Sequence, residues 1–280
     1  MRKIMQKIGA FALASALVIF SFGKIGQITQ KAAAEGAFGW EKISSYTTYF
    51  SKEEGGRYEN IQLATTLIDG ITIQPYGTFS FNQTVGRRTK EAGFQEAKVI
   101  SQGEYVLGVG GGVCQVSTTL YNAALKSGLC VTEVHPHSLR VGYVPPSRDA
   151  MVSSESDLRF YNPHLFPVYL EAKVYQNALK IAFYGKNEGY RYEITSKIVG
   201  EIPPPLPLEK EGDWEGVLRV EQVGVQSEAY LEKYLGNALL SRKLLRKDEY
   251  RPIQGIIVKK NEDTTKKTPI NACLFFKNLL

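Results

Sequence analysis

The chain has 280 residues, a formal net charge of +6 and three cysteines. An odd, irregularly spaced set of cysteines excludes a disulfide framework. The modest basic excess, with no interleaving of basic and aromatic residues, gives no footprint for nucleic acid. The length allows one good-sized domain and one small one.

In chain order, Arg2, Lys3 and Lys7 precede an uncharged run from Ile8 to Phe22. A basic start followed by an apolar core is the secretory signal pattern, and Ala32, Ala33 and Ala34 are small residues of the kind cleaved after. The run is shorter than the ~20 residues that comfortably span a bilayer. Residues 1–34 are therefore expected to be a signal peptide, or an N-terminal anchor touching the membrane if uncleaved. The remainder is expected outside the cytoplasm. After a short linker, ENIQLATTLIDG predicts a helix, with Ile61, Leu63, Ala64, Leu67 and Ile68 on one face and Gly70 as its stop. ITIQPYGTFSFN predicts strand, turn, strand, and AKVISQGEYVLGVGGG continues in strand and loop. A helix opens near Cys114, because Val116, Leu120, Ala123 and Ala124 recur at helical spacing and Gly128 is placed to end it. Pro145, Pro146 and Ser147 mark a turn. FPVYLEAKVYQNALKIAFYG alternates apolar and polar residues around Gln176-Asn177, which predicts a β-hairpin.

IPPPLPLEKEG cannot sit in a helix interior or a central strand, so 186–212 is expected to be a Pro-rich linker. A small β domain is expected over 213–260, with strand-like patches at VLRVEQVGV and GIIVKK, followed by a tail over 261–280. Lys259, Lys260, Lys266, Lys267 and Lys277 concentrate charge toward the C-terminus; outside the membrane their natural partners are anionic wall polymers or lipid head groups. The expected fold class is α+β: a main domain over 45–185 with one prominent helix on antiparallel or mixed strands, then the small mostly-β domain.

Chemistry is expected at Cys114. A cysteine in the first turn of a helix faces unsatisfied N–H groups and the positive end of the macrodipole. With a cationic neighbour, that placement lowers a thiol pKa from about 8.5 to roughly 3.5–7.5. The glycines at 110–112 let backbone N–H groups approach a substrate as an oxyanion hole requires. His135 and His137 share one face of an extended HPHS stretch, and either could serve as the base. The same pair with Cys114 could instead grip zinc, although a fourth ligand is not evident. Asp149 and Asp157, each beside an arginine, are candidates to orient the base.

These residues carry a resemblance. TTYF, ENIQLA, GTFSFNQTVGRRT, AGFQEAKVI, GGGVCQVSTTLYNAAL, HPHSLRVGYVPPSRDAMV and DLRFYN follow, in order, the pattern of the VanW-like domain. The later segment, with VLRVEQV and RKDEYRPIQGIIV, is loosely similar to the G-five domain. The resemblance implies an L,D-transpeptidase-like enzyme without cofactor or metal. Its partners would be the stem peptides and glycan of peptidoglycan. Cys114 would be the nucleophile, His137 the base and Asp149 its orienter, with Gly111, Gly112, Ser117, Ser138 and Tyr121 as oxyanion or substrate contacts. Tyr76 and Ser147 stand where that family's pattern usually carries glycine.

Overall fold

The structure, a computed structural model, describes residues 40–51, 55–101 and 103–260. The expected signal segment, the tail and Cys273 lie outside the described residues. Among the described residues no helix is long and apolar enough to cross a membrane.

The FPVYLEAKVYQNALKIAFYG stretch forms strands β8 (Val168–Tyr175) and β9 (Ala178–Gly185), joined by the two-residue turn Gln176-Asn177. Gln176 takes φ 51°, the left-handed conformation that tight hairpin turns need at their centre. Strand β1 (Glu41–Tyr49) pairs with β9, and β2 (Thr72–Ile73) pairs with β8, giving an antiparallel sheet in the order β1-β9-β8-β2.

Helix α1 (Gly56–Ile68) packs on β8, and a second helix, Val113–Lys126, packs on β1 and β9. Between helices and sheet lies one core, with Ile61, Ile68, Val116, Leu120, Leu170, Leu179, Ile181 and Phe183 fully buried. Each such side chain contributes about 1.5–3 kcal/mol. A five-residue helix, α2 (Phe81–Val85), lies between the two, which makes Val113–Lys126 α3. The single prominent helix expected from sequence is thus one of two of similar length, 13 and 14 residues.

Strands β3 (Thr78–Ser80), β6 (Cys130–Glu133) and β7 (Arg159–Tyr161) form a small antiparallel sheet. Strands β4 (Glu96–Ser101) and β5 (Glu104–Val109) form a two-stranded ribbon.

The stretch 186–212 is not a linker. It contains strand β10 (Tyr190–Ile202) and strand β11 (Leu208–Gly212), and the proline run interrupts pairing only between them. Proline removes a ladder donor where it stands and leaves the flanking residues free to pair. Strand β10 joins β13 (Gly224–Leu235) and β14 (Ala238–Tyr250) in a long antiparallel sheet. Strand β11 pairs in parallel with β15 (Ile256–Lys260), which also holds β12 (Gly216–Arg219). The C-terminal strands therefore begin well before residue 213.

Candidate active site

Cys114 is the second residue of α3. Gly112, the residue before the helix, has φ 104°, which an L side chain rarely adopts. Gly111 is required for a different reason: a Cβ there would lie 2.6 Å from the carbonyl oxygen of Lys98 on β4. Asn60, fully buried on α1, fastens this approach. Its amide donates to the carbonyls of Gly111 and Gln95 (2.9 Å each) and accepts from the Gln95 N–H at 2.7 Å.

Helix α3 is buried on nearly every side, and its polar residues act as struts. Gln115 donates to Thr48 Oγ1 (3.0 Å) and to the Tyr49 carbonyl (2.9 Å) on β1. Ser117 Oγ donates to the Ala150 carbonyl at 2.6 Å, and Thr118 Oγ1 accepts from the Ala150 N–H at 2.9 Å. Asn122 donates to the Arg148 carbonyl at 2.7 Å. Three residues of one helix thus fix the segment 148–150 beside Cys114, and the thiol itself lies 3.5 Å from the carbonyl oxygen of Val152.

That fixed segment presents Asp149. Its Oδ2 accepts from the His137 backbone N–H at 2.7 Å and lies 2.6 Å from His137 Nδ1. His137 is 6% exposed and Asp149 1%. The imidazole lies close enough to Cys114 for each to bear on the other's ionisation, and with Nδ1 engaged by Asp149, Nε2 is the nitrogen left to face sulfur.

Burial works to raise the Cys114 thiol, but the hydrogen bond and charge of His137, the main chain of Val152 and the Arg88 guanidinium together outweigh it. The pKa falls below its ordinary value. For His137, burial pulls downward, yet the bonds and charges of Asp149 and Cys114 push it up to about 9. Burial likewise opposes ionisation of Asp149, and His137, Arg246 and Tyr250 hold it below the usual carboxylate range. The surroundings thus favour thiolate beside imidazolium, the reactive form of a cysteine nucleophile, over the neutral pair.

The thiol opens onto a cavity of about 860 Å³ whose lining includes Gly111, Gly112, Cys114 and His137. Ser117, Ser138 and Tyr121 are not in that lining. Ser117 is fully buried as a strut, Tyr121 is 1% exposed beneath the Arg246 guanidinium, and Ser138 offers its carbonyl to the Arg251 N–H at 2.9 Å. Ser117 and Tyr121 lie on a face of α3 that points into the protein, and Ser138 lies in the loop after His137. His135 turns away: it bridges to Met151 through the backbone, and its Nε2 meets Glu133 at 3.0 Å. The alternative of zinc on Cys114, His135 and His137 needs both imidazoles beside the thiol, whereas His135 is directed to Glu133. Asp157 caps α2 instead, accepting from Ser80 Oγ at 2.5 Å and the Asn82 N–H at 2.8 Å.

Residues 56–184 match the model of the family described as VanW like protein. The chain carries a VanW-like domain. It is 42% identical over 172 residues to "Uncharacterized protein YoaR" of Bacillus subtilis, covering 61% of this chain and 57% of that protein. It is 28% identical over 81 residues to "Vancomycin B-type resistance protein VanW" of Enterococcus faecalis, covering 29% of this chain and 30% of that one. The alignments thus span little more than half of the first relative and under a third of the second. Two solved G5 structures also match: HP0197-G5 (12% identity, 25% of this chain and 96% of that one, TM-score 0.15) and the IgA1 protease G5 domain (17%, 26% and 88%, 0.18).

Cys114, His137 and Asp149 all fall inside the VanW-like domain, but the groups that complete Asp149 do not. Tyr250, at the end of β14, donates its hydroxyl to Asp149 Oδ1 and accepts from the Ser147 N–H at 2.7 Å. Arg246 donates to the Asp149 carbonyl at 2.8 Å and to Oδ1 at 3.2 Å, and pairs with Asp248 at 2.5 Å. Neither residue stood out in the sequence, since a contact across about a hundred residues leaves no local pattern. Arg88 was also missed, although it lies within the GTFSFNQTVGRRT motif. Its guanidinium donates to Asn82 Oδ1 at 2.7 Å and the Ser153 carbonyl at 3.3 Å, and it favours the thiolate. Tyr76 and Ser147, the two departures from glycine in the VanW-like pattern, both adopt φ 59°.

Proposed function

We propose that the VanW-like domain is a cysteine acyltransferase working outside the cytoplasm on the peptide stems of the cell wall, as an L,D-transpeptidase. The observation that carries this reading is His137, buried between the Cys114 thiol and Asp149. The wall setting draws support from the basic-apolar N-terminus and from the relative named as a vancomycin resistance protein.

The thiolate of Cys114 attacks a stem-peptide carbonyl. The first turn of α3 presents the Cys114 N–H, which has no acceptor within the helix, to the developing oxyanion. The C–N bond breaks, the leaving amine takes the proton from His137 Nε2, and a thioester remains on Sγ. The amine of a second stem then attacks the thioester, its proton passes to Nε2, and the thiolate leaves. Asp149 keeps the imidazole in one orientation throughout.

Cross-linking of purified muropeptides by the full chain and by Cys114→Ala, followed by mass spectrometry, tests this. The variant is expected to fold normally, form no cross-link and carry no acyl adduct. Cross-linking retained by Cys114→Ala overturns the reading and leaves the cavity as a binding site for stems.

A further inference from the structure

We propose that Arg87 and Lys98 form a carboxylate-recognising subsite at the rim of the Cys114 cavity, so that the acyl donor is an anionic peptide. This rests on Cys114 being the nucleophile and adds what the nucleophile selects.

Four cationic residues line the cavity, Arg57, Arg87, Arg88 and Lys98, and no aspartate or glutamate does. The neighbouring carboxylates are committed elsewhere: Asp149 to His137, Arg246 and Tyr250, and Asp157 to the start of α2. Arg88 donates to two neutral oxygens, and its charge acts on the thiolate. Arg87 and Lys98 differ from it. Both are exposed, and among the described residues neither side chain makes a hydrogen bond or an ion pair. Nearby Lys90, outside the cavity, pairs with Glu96 at 2.9 Å.

The two come from separate elements, the loop after α2 and strand β4, and converge on one space. Its other walls include Val99, Ile100, Tyr105 and Val109. Apolar walls concentrate the field of the cations inside the cleft. The thiolate and imidazolium offset one another, so that field is left to act on the ligand. A cationic donor is repelled, a neutral one gains nothing, and an anionic one is drawn in. On a peptide the anionic groups are carboxylates.

Iodoacetate and iodoacetamide alkylate thiols alike and differ in one carboxylate, so their rate ratio at Cys114 reads the subsite. The exposed thiol of Cys130 in the same molecule supplies the reference ratio. Labelling of the full chain, followed peptide by peptide by mass spectrometry, is expected to give a higher iodoacetate-to-iodoacetamide ratio at Cys114 than at Cys130. In Arg87→Gln/Lys98→Gln the Cys114 ratio should fall at least about threefold, and 0.5 M salt should have a similar effect on the parent chain. Rapid labelling of Cys114 with a ratio that the double substitution leaves unaltered overturns the subsite and spares the nucleophile. Labelling of Cys114 no faster than Cys130 by either reagent overturns the nucleophile, and the subsite with it.

Discussion

Folding favours the protonated form of His137 and the ionised form of the neighbouring Cys114 thiol, and unfolding removes both preferences. His137, raised from 6.5 to about 9, contributes stability that is full below pH 6.5 and lost as pH rises through about 9. Cys114, lowered from 9.0, contributes stability that is full above pH 9.0 and lost as pH falls through its folded value. Where both shifts operate the slopes cancel, because each state binds one proton on the pair. From this pair, urea unfolding of the parent chain should therefore vary less with pH below about 9 than that of a variant without the thiol. In Cys114→Ala only the histidine remains, and stability should fall with rising pH, by at most ~1.4 kcal/mol per pH unit. A flat profile in the variant would show that His137 is not elevated by Asp149. Tyr76 offers a simpler case. It is 66% exposed, so its ring contributes little packing, yet it holds φ 59°. Relief of a left-handed conformation, about 1–2 kcal/mol, exceeds the 0.5–1 kcal/mol entropy cost of glycine. Tyr76→Gly should raise stability by roughly 0.5 kcal/mol, measurable as a higher urea midpoint. Ser147 has the same φ but is bound to Ser227 Oγ at 2.7 Å, so the same change there forfeits a buried hydrogen bond.

The position of helix α3 rests on the close passage of Gly111 under β4. Gly111→Ala puts a methyl group against backbone, which cannot swing aside, so it should cost about 2 kcal/mol. It should also return the Cys114 thiol toward ordinary reactivity as the helix start is pushed off its seat. Alkylation rate against pH reads the second effect separately from unfolding. This helix was legible in the sequence because Val116, Leu120, Ala123 and Ala124 repeat at helical spacing and glycines bracket them. The hairpin β8–β9 was legible from strict alternation about Gln176-Asn177. Strands β13 and β14 were not: much of β14, including Leu239, Leu240 and Leu244, stays exposed, and the buried alternate positions of β13, Val225, Ser227 and Ala229, are small or polar and give a weak apolar period. The proline run misled for a related reason, since it interrupts pairing only where it stands. Within the site, Cys114 and His137 were visible as rare residue types in suggestive settings, and Asp149 as a nearby carboxylate. Ser117 and Tyr121 were expected in the substrate groove from the VanW-like resemblance, whereas successive helical residues point in different directions and these two face inward.

Across the whole molecule, the last long strand locks onto the middle of the chain. Arg246, Tyr250 and Ser227 hold Asp149 and Ser147, and the Ser196 hydroxyl donates to the Pro146 carbonyl at 2.5 Å. Removing one partner from a buried charged cluster costs about 3–5 kcal/mol. Arg246→Met should therefore destabilise the junction strongly, and thermal unfolding should separate into two transitions where the parent chain shows one. A single transition in the variant would mean that other contacts carry the coupling.

The same lock orders events in time. A ribosome releases Cys114 long before Tyr250, so the nascent chain carries its future nucleophile while the clamp on Asp149 Oδ1 is still unmade. Only a polypeptide extended past Tyr250 can complete the seat of that carboxylate, and through it that of the imidazole. The reactive thiolate is thus a property that the chain completes only once β14 has emerged, and a chain that stops short of Tyr250 is expected to hold a less reactive cysteine.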